Sequence, residues 1–156
     1  MRGTMVCNVN DTEEGRAALE LGVELSKRLG LRLVLAHVAS GITLDDDGSD
    51  PGESVSMKAN RQGATRLLDR LASEYGVAGA ERREAVGDVA ARLGQIAAEE
   101  AADVIVVGAR PRGRLRRGLV TKLADQLETE TAVPVLIAPP RTRGTSGSTA
   151  ENGTRR

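Results

Sequence analysis

The sequence predicts a doubly wound α/β domain: an open five-stranded parallel sheet in the order 3-2-1-4-5, with about four helices. Two observations carry this expectation. Short aliphatic, β-branched runs alternate with longer stretches whose apolar residues recur at helical spacing. The links between them are tight, and a strand–helix–strand unit of that kind makes a parallel pair through a right-handed crossover. At 156 residues the chain suits one domain. Residues 1–140 form the predicted α/β domain and 141–156 a tail.

Thr4–Val9 (TMVCNV) reads as a short buried strand. Asn10, Asp11 and Thr12 then offer N-cap chemistry to a helix with acids in its first turn and Lys27 and Arg28 in its last. Leu19, Val23, Leu25, Ser26 and Leu29 make its apolar stripe, and Gly30 supplies the stop. Leu31–Val38 is the second strand, and Ala39–Gly52, with DDDGSDPG at its centre, a mobile loop. A helix is expected from about Glu53 to Tyr75, with Leu67, Leu68 and Leu71 on one face.

Ala80–Val86 (AERREAV) is the weakest strand, its charges suiting an edge. Asp88 caps a third helix with Val89, Leu93, Ile96 and Ala97 inward. Asp103–Val107 is strand four, Gly118–Glu130 a helix and Val133–Ala138 strand five, where Pro134 implies an edge position. After Pro140 the Gly/Ser/Thr/Arg-rich composition cannot bury a core, which predicts disorder.

The chain carries 22 basic and 22 acidic side chains, so no global field favours nucleic acid or a membrane surface. No run approaches the length of a membrane span or signal peptide. Cys7 is the one cysteine, which excludes an internal disulfide and fits a reducing, cytoplasmic compartment. No spacing suggests a metal site or a Ser–His–Asp arrangement. Cys7 within an apolar strand reads as a small buried hydrophobe, and His37 as a packed, hydrogen-bonded side chain without an acid partner.

Function concentrates in Asp103–Lys122, DVIVVGARPRGRLRRGLVTK. A strand ending at Gly108, an arginine-rich loop and a following helix outline a phosphate site of the kind open α/β sheets place beyond their strand ends. The predicted strand order sets the loops after Val9 and Val107 across one crevice. Two readings of Arg110, Arg112, Arg114, Arg116 and Arg117 stand side by side. Their guanidinium forks could hold phosphate, or they form a solvated basic loop. Lys122 divides the same way. The region around Gly113 has too few aromatics for a nucleic-acid platform.

The strand–VNDT–helix opening, His37–Val38 closing strand two, VGD before helix three, VIVVGAR and the closing PVLIA give the chain a resemblance to the universal stress protein family over about residues 4 to 138. The resemblance implies an adenine-nucleotide-hydrolase-like α/β fold, dimerisation through strand five and a cytoplasmic stress-response role, with some members binding ATP. ATP-binding members carry Gly, two residues, Gly, nine residues, then Gly-Ser. Gly108 matches the first position, whereas Pro111 and Thr121–Lys122 replace the rest. Pro111 has no N–H to donate, and Thr121 adds a branched side chain where backbone would approach phosphate. Asn10 stands where the family has Asp, followed by Asp11 and Thr12; Thr12 and Val38 fall at the ribose and adenine sides.

The expectation is therefore a homodimeric regulatory or binding module, joined through Val133–Ala138, with an eroded nucleotide site and no turnover. The alternative is a retained ATP binder, with slow ATPase activity, that uses Gly108, Arg110, Arg112 and Lys122 on the phosphates. A third class is an accessory domain acting on a transporter or kinase.

Overall fold

The computed structural model describes residues 2–39, 55–109 and 122–140, with side chains in the second stretch from residue 62 onward. Nine elements follow one another: β1 (Thr4–Asn8), α1 (Glu13–Leu29), β2 (Arg32–Ala39), α2 (Val55–Glu74), β3 (Glu81–Val86), α3 (Val89–Glu99), β4 (Val104–Gly108), α4 (Lys122–Glu130) and β5 (Val135–Ala138). All four strand pairings are parallel, in the order β3-β2-β1-β4-β5. The doubly wound sheet read from the sequence is the observed one, and β3 and β5 are its edges.

Strand alternation divides the core in two. Met5, Cys7, Leu33, Leu35 and Val106 pack with Leu19 and Val23 of α1 and Leu68 and Leu71 of α2 on one face. Val6, Val34, Ala36, Ile105 and Val107 pack with Leu93 and Ile96 of α3 and Leu127 of α4 on the other. With no Trp or Phe, these aliphatic layers stay thin. At Gly22 an added Cβ would stand 3.2 Å from Cys7 Sγ, so α1 runs close over β1. Burial holds the Cys7 thiol well above its ordinary range, which makes it an inert core residue.

Most element ends fall within two residues of the expected ones. Val133 and Pro134 precede β5 instead of opening it, since the ladder with β4 begins at Val135 opposite Ile105. Leu29 departs from its expectation: it is 64 % exposed, because the buried face of α1 runs through Leu19, Gly22, Val23 and Ser26 and the helix ends at Leu29. The loop expected after Ala39, the start of the fourth helix at residues 118–121 and the tail at 141–156 lie outside the described residues.

The N-terminal rim of the β3 edge is tied down by charge. Glu100, its side chain 13 % exposed, accepts from Arg32 of β2 at 2.9 Å and Arg83 of β3 at 2.5 Å. Arg32 also pairs with Glu81 and Arg83 with Glu99. Strand β3 is therefore held by ion pairs in addition to its ladder with β2 and the packing of Ala85.

Candidate functional site

The crevice expected at the switch point lies beyond the carboxyl ends of β1 and β4, with the end of β2 beside it. Asn10 begins it. Its Oδ1 accepts from the Thr12 N–H at 3.1 Å and from the Thr12 hydroxyl. Thr12 is the α1 N-cap, with extended backbone, and its Oγ1 accepts from the Gly15 N–H at 3.1 Å. The turn is tight: a Cβ on Gly15 would lie 2.1 Å from Asn10 Oδ1. The Asn10 Oδ1 and the Thr12 hydroxyl are thus engaged with one another and with the helix end.

Asp11 points the other way. Its carboxylate takes Arg16 at 3.0 Å and Arg70 of α2 at 2.9 Å, and Arg16 continues to Glu74 at 2.7 Å. The hydrogen bond from Arg16 is the main cause holding the Asp11 carboxyl below its usual range, with Arg70 adding to it. This clamp ties the β1–α1 loop to the C-terminal half of α2.

The Val38 side chain is buried among the α3-side core, so only its backbone is offered to the crevice. The direction of that backbone follows from the ladder. Ala36 accepts from Val9 of the β1 side at 2.7 Å, and Ala39 accepts from Gly87 of the β3 side at 2.9 Å. Alternate residues face opposite neighbours, so the Val38 N–H and C=O face the β1 side, beyond the end of β1. Next to it, His37 Nδ1 lies 2.8 Å from Val9 O. A carbonyl only accepts, so Nδ1 carries the proton. His37 is the half-buried, hydrogen-bonded residue that was expected, and it fixes the point at which β1 leaves the sheet.

On the β4 side, Gly108 ends the strand against α1. A Cβ there would stand 2.0 Å from the Glu14 carbonyl oxygen. Lys122 opens α4 and is exposed. Arg110, Pro111, Arg112, Gly113 and Thr121 lie outside the described residues. The structure therefore brings Asn10, Asp11, Thr12, Val38 and Gly108 to one end of the sheet. Sequence reading did not find Arg16 and Arg70 as the partners of Asp11. Arg16 stands five residues on, but Arg70 lies 59 residues away, and only the placement of α1 and α2 on one face of the sheet brings it near.

Fold and crevice define an open parallel α/β domain with its candidate site at the switch point of the sheet. The chain belongs to the universal stress protein family, whose profile matches residues 1–139. It is similar to UspA from Lactobacillus plantarum at 17% identity, covering 88% of this chain and 99% of that one, with a TM-score of 0.66. A universal stress protein family member from Burkholderia pseudomallei is 25% identical over 89% of this chain and 96% of that one, with a TM-score of 0.64. The Archaeoglobus fulgidus universal stress protein in complex with dAMP is 18% identical, covering 86% of this chain and 96% of that one, with a TM-score of 0.57. No curated protein matches the chain in sequence.

No helix among the described residues is long and apolar enough to cross a membrane, and no group of metal-ligating side chains occurs among them.

Proposed function

We propose that this universal stress protein is a homodimeric, cytoplasmic stress-response regulatory module whose nucleotide site is eroded on the phosphate side, not a turnover enzyme. One observation carries the reading: the crevice side chains are already engaged within the chain. Asn10 is used by Thr12, Thr12 by Gly15, and Asp11 by Arg16 and Arg70. Pro111, Thr121 and Lys122 in place of Gly, Gly and Ser point the same way. Dimerisation through β5 is supported by Leu136 and Ile137, exposed hydrophobics on an open edge. Equilibrium dialysis and thermal-shift assays with ATP, ADP and cyclic AMP test the site. No tight binding is expected, and tight binding of any of them overturns the eroded site.

A second reading, retained adenine-nucleotide binding, is favoured by the Val38 backbone, which still faces the crevice on the adenine side, and by the dAMP held in the Archaeoglobus fulgidus relative. In this reading Gly108, Arg110, Arg112 and Lys122 meet the phosphates. Native mass spectrometry of freshly isolated protein separates the two. A co-purified adenine nucleotide, weakened by replacing Arg110, Arg112 and Lys122 with Ala, selects the second reading; a ligand-free mass selects the first.

A further inference from the structure

A cleft of about 340 Å³ opens at the free β3 edge, away from the β1–β4 crevice. Ala64 of α2, Ala85 of β3 and Ile96 of α3 form its apolar surface. The charged groups along it are hydrogen-bonded within the chain, but among the described residues Arg92 and Glu84 meet only neutral partners. Glu99 accepts from Arg83 and, at 3.0 Å, from Gln95 Nε2. Glu84 accepts from the Thr65 hydroxyl at 2.7 Å.

Arg92 is the cation of these two. Its Nε donates to Val86 O at 3.0 Å and its Nη1 to Gln95 Oε1 at 3.0 Å. The side chain lies across Gly87, where a Cβ would stand 3.0 Å from Nε, so a larger residue there would push it away. No carboxylate among the described residues pairs with it. An exposed guanidinium thus lies beside an apolar floor, held by two hydrogen bonds that leave Nη2 for a partner from outside.

We propose that this cleft is a second small-molecule site, one that takes an amphipathic monoanion: an apolar carboxylate with its acid group on Arg92 and its body over Ala64, Ala85 and Ile96. The volume sits near the lower end of the range of ligand pockets, about 300–1,000 Å³. Charge narrows the class. Arg83, Glu84 and Glu99 line the same cleft, and with Arg83 already paired to Glu99 the carboxylates oppose a second negative charge, which disfavours nucleotide di- and triphosphates. Arg92 already occupies the Val86 carbonyl, the last group that the edge would offer to an added β-strand. The pairing of a fixed Arg with a carboxylate is a charge-assisted hydrogen bond, which the neutral contacts of the cleft cannot replace.

Phenylbutyrate is a suitable probe, added to the full chain while amide chemical shifts are followed by NMR. Saturable shifts are expected at residues 83–86 and 92–99, unaffected by ATP, and Arg92→Gln lowers the affinity about ten-fold. Arg92→Lys, which keeps charge but loses the fork, falls between the two. Absent shifts, shifts confined to Leu136 and Ile137 of β5, or equal affinity in the Arg92→Gln protein each overturn the site.

Discussion

The carbonyl oxygen of Glu14 lies 2.0 Å from where a Cβ on Gly108 would stand. The glycine that ends β4 is therefore required by the packing of α1 onto the sheet, whatever the crevice binds. A motif glycine of this kind serves the fold before it serves a ligand. Its presence alone says nothing about nucleotide, which is why the neighbouring positions decide the reading.

Gly108→Ala should destabilise the protein with no nucleotide present. Backbone meets backbone here, so neither side can swing away, and the cost falls at the upper end of overpacking, about 3 kcal/mol. Urea denaturation of the ligand-free protein measures it. Unchanged stability would return Gly108 to a purely ligand-directed role.

Helix ends give a prediction of opposite sign. Gly30 and Gly76 take left-handed backbone after α1 and α2, at φ 65° and 70°. Ala101 does the same after α3 at φ 50°, with the Ala102 N–H returning to Ala97 O at 2.8 Å. All three close their helices in one way, but Ala101 carries a Cβ where glycine carries none. Ala101→Gly should raise stability by about 0.5–1 kcal/mol, and Gly30→Ala should lower it by a similar amount. Paired thermal unfolding curves read both.

The general plan was legible because every strand but β3 is a short apolar run and α1 and α2 stop at Gly30 and Gly76. The β3 edge was hardest to read, since ERREAV lacks apolar alternation. Besides its ladder with β2, it is held by ion pairs to Asp69, Glu99 and Glu100, and composition does not reveal those partners. The site was legible as positions and not as contacts. Asn10, Asp11 and Thr12 were found from their place after β1, whereas the clamp of Asp11 onto Arg70 depends on α1 and α2 sharing one face of the sheet. Leu29 misled because helical spacing continues to the last residue while burial does not.

The β3 ion network makes stability acid-sensitive. Burial pushes the Glu100 carboxyl up, but the hydrogen bonds from Arg83 and Arg32 outweigh it and hold the group below its usual value. Arg83 and Gln95 hold Glu99 low as well. A depressed carboxylate contributes stability above its unfolded pKa, about 4.3, and loses it as pH falls through the folded value. Thermal midpoints should therefore fall below about pH 4.3. Glu100→Gln should flatten that fall while costing on the order of 1 kcal/mol at neutral pH, since its arginine partners are partly exposed. An acid limb unchanged by this substitution would remove Glu100 from the account.

The β5 edge differs from β3 in that, among the described residues, no ion pair flanks it. Leu136 and Ile137 alternate on the two faces of the last strand, and each is 37 % exposed. An edge that ends in aliphatic side chains and free backbone groups pairs readily with a second copy of itself, and a closed two-fold dimer buries both. Ile137→Lys places a charge at the centre of that contact without touching the packed core. Light scattering at micromolar concentration should give a dimer mass for the natural chain and a monomer mass for the variant, with unchanged circular dichroism. A monomer in both cases would leave β5 as an exposed edge and move the dimer contact out of the proposal.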